Sequence, residues 1–246
     1  MKALGVCLFV GCVALAGAGR AQGFPDLGYM AMTIGAGGLQ TSAMNNVIAT
    51  AVKPSRARGD ANASARPLAP PQAVTTYRAN PLVAARVQKQ FTDWMAKQAG
   101  AQGGQAVAAA LRRDDPVASW SRLIAADGLR PGDTADALTA YWVLNWVIAN
   151  RGDSTRAQVL AVRDQVRPTL ARDPAHARLG EADRQAFAEV LILNFLIQHA
   201  AYVEALKRND SQLLDRLSDA AVARFRNEMG VDLRRLRLTA EGFVSA

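Results

Sequence analysis

The most hydrophobic parts of the chain are two segments that each carry one asparagine among apolar residues. The sequence VLNWVI spans 143–148, and the sequence ILNFLI spans 192–197. The first belongs to a run, 137–149, that is apolar except for Thr139 and Asn145. A helix that is apolar on every side is a buried helix, and this run is shorter than the roughly twenty residues that cross a hydrocarbon layer. We therefore predict that both segments form central, buried helices of a globular domain.

The asparagines inside these segments need hydrogen-bond partners. An unpaired buried amide costs about 1–3 kcal/mol, and a single polar contact in an apolar seam fixes the register of two packed helices. We predict that Asn145 and Asn194 form a structural polar pair, bonded to each other or to a shared water.

Capping residues divide the rest of the sequence into further helices. Asn80-Pro81 and Asp115-Pro116 each combine an N-cap residue with a proline at the first helical position. Other helix starts are predicted at Asp133, Ser154, Glu181 and at Asn209 or Asp210, with a helix end at Gly230. Strand-like alternation of any length is lacking. The pattern predicts an all-α fold, a bundle of about six to seven helices over residues 80–246.

Three local features refine this prediction. The glycines of AQGGQ at 101–105 are expected to break the first helix after about Ala99 and to separate it from a short alanine-rich helix. Pro168 is expected to kink or end the helix that contains it. The spaced leucines of the last residues, together with Phe243, are expected to pack back on the bundle.

The N-terminus has the layout of a secretory signal peptide. Lys2 precedes an uncharged apolar stretch, Ala3–Ala16, and small residues follow it. We predict cleavage after Ala21, with a site after Ala18 as the alternative. A minor alternative is a lipoprotein signal with acylation at Cys12. The protein is therefore expected in the periplasm or the medium, with no transmembrane helix in the mature chain.

Two segments of different composition follow the signal peptide. Residues 22–52 are rich in Gly, Ala and Met, and residues 53–79 form a Pro/Ala/Arg-rich linker or disordered arm. Arg-Gly-Asp occurs at 58–60 and again at 151–153. A three-residue match is weak support for an adhesion motif, so we interpret both as coincidence and the second as a helix-ending turn.

Cysteine content and charge exclude several function classes. Both cysteines, Cys7 and Cys12, lie in the signal peptide, so the mature chain has no cysteine nucleophile, thiolate metal site or redox pair. Loss of Lys2 and Arg20 lowers the formal charge by two, from +8 to +6. The C-terminal region is locally basic, and we interpret it as a solvated face over the core, with no nucleic-acid partner expected: Arg224, Arg226, Arg234, Arg235 and Arg237.

The candidates for acid–base chemistry are few. The sequence has two histidines: His176 in a loop and His199 on the longest predicted helix. His199 with Glu189 or Glu204 is a weak candidate for an acid–base pair, because neither spacing is diagnostic. The sequence contains no metal, nucleotide or hydrolase motif. We therefore assign no catalytic, metal or cofactor residue, and expect no cofactor.

The aromatic residues Tyr141, Trp142 and Trp146 follow helical spacing. They either pack in the core or line a ligand pocket, and we interpret them as core because aromatic residues dominate core packing.

Three segments resemble a family of uncharacterised secreted proteins of Gram-negative bacteria, a domain of unknown function. They are GLRPGDTADALTAYWVLNW, EADRQAFAEVLIL and MGVDLRRLRLTAEGF. The similarity covers about residues 76–243. It implies an exported helical domain and carries over no catalytic residue.

The sequence therefore favours a non-enzymatic module of the cell envelope that binds another protein or an envelope component. The alternative is an envelope hydrolase that uses His199 with a nearby carboxylate. Exposure of His199 within hydrogen-bond reach of Glu or Asp distinguishes the two hypotheses.

Overall fold

The computed structural model describes residues 74–246, which fold into an all-α bundle completed by a short β-hairpin. The signal peptide, the Gly/Ala/Met-rich segment and most of the predicted linker lie outside the described residues. The helices are α1 (Pro81–Arg113), α2 (Pro116–Ile124), α3 (Thr134–Asn150), α4 (Arg156–Arg172), α5 (Pro174–Ala177), α6 (Glu181–Lys207) and α7 (Ser211–Met229). The strands are β1 (Leu236–Thr239) and β2 (Gly242–Ser245), and single 3₁₀ turns span Ala125–Asp127 and Leu233–Arg235. The all-α class predicted from the sequence is confirmed.

Side-chain caps start the helices as the sequence predicts, with one shift. The side chains of Asn80, Asp115 and Asp133 accept hydrogen bonds from backbone N–H groups in the first turns of α1, α2 and α3. The cap of α4 is Thr155 rather than the predicted Ser154, because Thr155 and Gln158 form a reciprocal capping box. These caps satisfy backbone donors that have no partner within the helix.

α1 is interrupted at Gly100, next to the predicted helix end near Ala99, whereas the AQGGQ stretch at 101–105 that was predicted to break the chain is helical. Gly100 has φ 77° and ψ 172°, a backbone conformation that essentially only glycine adopts. A Cβ on Gly104 would lie 3.0 Å from the Cα atom of Ala96, although eight residues of straight helix span about 12 Å. The chain therefore folds back at Gly100, and α1 is a helical hairpin with arms 81–99 and 101–113.

Pro168 lies inside α4 and does not end it. The helix continues to Arg172, where the cap residue Asp173 follows.

The centre of the bundle is formed by α3 and α6, as predicted. α3 packs against α4, α6 and α7, and nearly every residue along it is buried. Among the described residues, α6 alone is long and apolar enough to cross a membrane. Of the most apolar 18-residue stretch of α6, 83% is buried inside the bundle, as expected for the core helix of a globular domain.

A strap formed by residues 75–80 crosses the N-terminal ends of α3 and α6. The carbonyl of Thr75 accepts hydrogen bonds from the backbone N–H and the hydroxyl of Thr134, both at 2.9 Å. On α6, Gln185 accepts from the N–H of Asn80 and donates to its carbonyl. The sequence placed residues up to 79 in the linker, but these backbone bonds make 75–79 part of the folded domain.

The C-terminal residues pack on the bundle as predicted, but as a β-hairpin that the sequence did not predict. β1 pairs antiparallel with β2, in a register that sets Leu238 opposite Phe243. Each strand has only four residues, so its alternation is too short to recognise as a strand pattern.

Side chains from α3 and α4 bond to the outer edges of this hairpin. Trp146 Nε1 donates to the carbonyl of Leu236, and Gln158 Nε2 donates to that of Leu238. Gln165 accepts from the N–H of Phe243 and donates to its carbonyl. These bonds occupy backbone groups that an exposed edge strand would offer to another chain, so they attach the tail to the bundle.

Candidate functional site

Both asparagines of the apolar segments are buried, and each amide bonds to its own helix. Asn145 Nδ2 donates to the carbonyl of Tyr141, and Asn194 Nδ2 donates to the carbonyl of Val190, each at 2.8 Å. Both carbonyls lie four residues earlier in the same helix. The side-chain nitrogen of each asparagine therefore has a hydrogen-bond partner within its own helix. The direct pairing of the two asparagines remains a prediction.

The side-chain carbonyl of Asn145 bonds to a buried arginine. Arg224 Nη1 donates to Asn145 Oδ1 at 2.7 Å and to Gln198 Oε1 at 3.3 Å. Asn145 lies on α3, Gln198 on α6 and Arg224 on α7, so one guanidinium nitrogen joins three helices. We refer to these three residues as the Arg224 cluster.

Burial of Arg224 corrects the prediction that all the C-terminal arginines form a solvated face. Arg224 is 7% exposed. In contrast, Arg226 and Arg234 lie at the surface in ion pairs with Asp232 and Asp219. The sequence contained a signal for this difference, because Leu217, Ala221 and Arg224 lie at helical spacing on the buried face of α7.

The hydrogen bonds of the Arg224 cluster are internal to the fold. A charge out of water is costly unless it is hydrogen-bonded, and the two amide oxygens supply such bonds. Arg224 Nε has no hydrogen-bond partner among the described residues. The packing of α3, α6 and α7 against each other therefore depends on one guanidinium.

The aromatic residues of α3 pack in the core, as predicted. Tyr141 stacks on Phe225 with ring centroids 5.8 Å apart, and the ring of Trp142 meets the edge of the same phenylalanine. Trp146 packs near Phe243 of the tail.

His199 does not join either carboxylate suggested by the sequence. Its ring stacks on Phe195 with centroids 5.7 Å apart and planes 6° from parallel. Desolvation lowers the pKa of His199, so the ring is neutral at physiological pH. Glu204 forms an ion pair with Arg208, and Glu189 lies about 15 Å away along the same helix. The acid–base pair required by the hydrolase hypothesis is thus not formed among the described residues.

The second histidine is buried in a polar junction below the strap. His176 is 2% exposed, and its Nε2 lies 3.1 Å from the hydroxyl of Thr134. Desolvation, with Arg184 nearby, lowers the pKa of His176 to about 4. A neutral, buried imidazole bonded to Thr134 has a packing role, which the sequence did not reveal because it placed His176 in a loop.

An ion-paired carboxylate pair lies at the N-terminal end of α3, beside this junction. Arg167 bonds to Asp133 at 2.9 Å and to Asp136 at 2.6 Å. Burial, and then the charge of Asp133, raises the pKa of Asp136, while the N–H of Arg130 and the guanidinium of Arg167 lower it. This pairing connects α3 to α4.

The structure of residues 74–246 supports neither a metal site nor an adhesion role for the second Arg-Gly-Asp tripeptide. Within that range no group of three His, Cys, Asp or Glu side chains is placed to hold a metal ion. Arg151 caps the C-terminus of α3 with φ 50° and pairs with Asp215. The tripeptide at 151–153 is thus a helix-ending turn, as predicted, and the first copy lies outside the described residues.

Comparison with known proteins assigns the chain to a family. A family model described as a family of unknown function (DUF6683) matches residues 4–246. The chain belongs to DUF6683. The match extends well beyond the predicted region of resemblance, about 76–243, and includes the N-terminal segments. No curated protein and no solved structure matches this DUF6683 chain.

Glu189 is a buried carboxylate of this DUF6683 domain, with no ion pair among the described side chains. Its Oε1 accepts a hydrogen bond from Gln185 Nε2 at 2.7 Å. Desolvation raises the pKa of Glu189, the bond from Gln185 lowers it, and the negative charge of Asp115 raises it further. Because Gln185 also bonds to Asn80, Glu189 lies beside the contact that attaches the strap to α6.

Replacing Glu189 with Gln is expected to stabilise the protein at neutral pH. The raised pKa means that the folded state disfavours the charged carboxylate. The stability present below the ordinary pKa of 4.5 is lost as the pH rises through the folded-state pKa. Glu189→Gln removes this cost and should raise the free energy of unfolding at pH 7.

Urea unfolding of both proteins at several pH values tests this expectation. The difference should vanish below about pH 4, where Glu189 is protonated in both states. His176 contributes equally to the parent and the variant, so it cancels in the comparison. A variant less stable than the parent at neutral pH would contradict the expectation.

Proposed function

We propose that this DUF6683 protein is an exported helical domain of the Gram-negative cell envelope that binds another protein or an envelope component and catalyses no reaction. In this proposal the interior polar residues maintain the fold, and the exposed surface of the bundle makes the functional contact.

The proposal rests on the hydrogen bonds and ion pairs that the buried charged and titratable side chains form inside the domain. Six of them bond within the domain, in capping, ion pairing, joining helices or, for Glu189, a hydrogen bond inside α6: Asp133, Asp136, Asp173, His176, Glu189 and Arg224. General acid–base catalysis needs such a group within reach of a substrate. The internal partners of these residues support a structural role for all of them.

Export is supported by the sequence of the first residues. Lys2, the apolar stretch Ala3–Ala16 and the small residues before Ala21 have the order and lengths of a signal peptide. The mature chain has no cysteine, so its stability in an oxidising compartment depends on packing.

Intact-mass measurement of protein recovered from the periplasm or the medium tests export. We expect a mature N-terminus at Gln22. An acylated Cys12 would make the protein a membrane-anchored lipoprotein, and an intact Met1 in recovered protein would contradict the proposal of a cleaved signal.

Site-specific photo-cross-linking in intact cells tests binding. A photo-reactive amino acid is placed at exposed positions on each helix, including the exposed apolar residues Leu82 and Leu206. Apolar surface gains most from burial in an interface, so these two positions are the first choice. Lys89 is a control, because it is exposed and ion-paired with Asp93 on the same helix as Leu82.

A binding module should give a discrete adduct at neighbouring positions and none on the opposite face. Adducts that are identical at every position indicate random collision. The complete absence of adducts over the whole surface would contradict the proposal.

A further inference from the structure

The α1 hairpin packs on its own small apolar cluster, apart from the main core. Its buried residues meet one face of α6, and the larger cluster joins the remaining helices and the tail. The members of the small cluster are Val83, Val87, Phe91, Trp94 and Val107 from α1, with Ala186, Val190 and Leu193 from α6. A separate cluster with one partner helix allows one element to detach while the main core remains intact.

The first arm of the α1 hairpin contains polar side-chain atoms that are buried without partners. Gln90 Oε1 and Trp94 Nε1 have no hydrogen-bond partner among the described residues. Each unpaired buried group opposes docking, because water would satisfy it when the interface opens. Docking of α1 is therefore weaker than the buried apolar side chains alone would make it.

The turn of the hairpin depends on glycine. Gly100 has positive φ, and Gly104 lies so close to Ala96 that a Cβ would be 2.6 Å from the Ala96 Cβ atom. The two arms thus meet through small residues, with little apolar surface at their crossing.

Both ends of the hairpin are attached to the rest of the fold. Asn80 is joined to Gln185 of α6 by two hydrogen bonds, and Asp115 caps α2 directly after the hairpin. We propose that the α1 hairpin detaches from α6 as a separate unit. Its two ends stay attached, and α3, α6 and α7 stay folded. Opening uncovers Ala186, Val190 and Leu193 of α6. This inference is independent of the proposed function.

Hydrogen exchange of the full chain, with two matched variants, tests the proposal. Gly100→Ala and Gly230→Ala both place a Cβ at positive φ, and neither added atom would meet anything within 4 Å. Gly230 ends α7 in the main core, so the two changes strain the two units separately. Strain of this kind should speed exchange about tenfold in the unit that it affects.

We expect Gly230→Ala to speed exchange in α3, α6 and α7, which unfold together, and to leave residues 81–113 unchanged, because their own opening does not involve Gly230. Gly100→Ala should speed exchange in residues 81–113, and it also speeds exchange by global unfolding, because α1 is unfolded in that state too. Equal acceleration of residues 81–113 and the main core by Gly230→Ala would overturn the proposal, and so would no acceleration of residues 81–113 by Gly100→Ala.

A second measurement on the unmodified chain keeps the proposal testable if Gly100→Ala does not fold. Amide exchange is followed at low urea concentrations. Opening of α1 alone exposes less surface than global unfolding, so the exchange of its amides should depend less steeply on urea than that of α3 amides. An equal dependence for both helices would overturn the proposal.

Discussion

Replacement of Asn145 by Leu is expected to destabilise the protein by about 3 kcal/mol, because it leaves the Arg224 guanidinium short of a partner. Asn145 Oδ1 is 2.7 Å from Arg224 Nη1 and is buried, so water cannot replace it. The remaining bond, to Gln198, is longer at 3.3 Å. Urea unfolding followed by far-ultraviolet circular dichroism measures the loss.

Two further variants separate the hydrogen bond from the change in side-chain shape. Asn227→Leu, an exposed change on the same helix as Arg224, should alter stability by no more than about 0.5 kcal/mol. The double variant Asn145→Leu/Arg224→Met should lose less than the sum of its single changes, because no buried charge remains unpaired. Additive losses would contradict the coupling of these two residues.

The predicted asparagine pair is tested by the same approach. If Asn145 and Asn194 share a bond or a water, the double change to Leu should cost less than the sum of the single changes. Strictly additive costs would mean that each asparagine has a separate partner, as Arg224 already provides for Asn145.

Replacement of Phe243 by Ala is expected to cost about 3–5 kcal/mol, the range for loss of a large buried aromatic side chain. Phe243 is 2% exposed and lies with ring centroids 6.5 Å from Trp142 and 6.4 Å from Trp146. The cavity cannot close easily, because Gln165 holds the backbone of Phe243 on both its N–H and its carbonyl. The same urea unfolding experiment measures this loss.

Val244→Ala is the matched control for this change. Val244 is the next residue of β2 and is half-buried, so its truncation should cost less than about 1 kcal/mol. A similarly small effect of Phe243→Ala would mean that the hairpin frays independently and is not part of the cooperative core.

The sequence predicted the features of the fold that depend on local pattern. The caps at Asn80, Asp115 and Asp133, the break near Gly100 and the burial of α3 and α6 follow from residue types within a few positions of each other. The β-hairpin was missed because two strands of four residues carry too few alternations. Their stability comes from Trp146, Gln158 and Gln165, which lie far away in the chain.

The Arg224 cluster could be predicted only in part, for the same physical reason. The burial of Asn145 followed from its apolar neighbours, but the identity of its partner depends on how three helices pack. An arginine in a region with many arginines gave no sign of being buried except its spacing from Leu217 and Ala221. Likewise, the distance between His199 and Glu189 along α6 follows from their positions in the sequence. The stacking of His199 on Phe195 could be found only from the structure.

The claim that the interior polar residues serve the fold while the exposed surface makes the functional contact is tested most directly by one cross-linking measurement. The Asn145→Leu/Arg224→Met variant, shown by circular dichroism to be folded, is compared with the parent for its yield of the adduct formed from an exposed position. We predict an equal yield, because the variant removes the cluster and leaves the surface unchanged. A folded variant that loses the adduct would contradict the claim and make the Arg224 cluster the functional site.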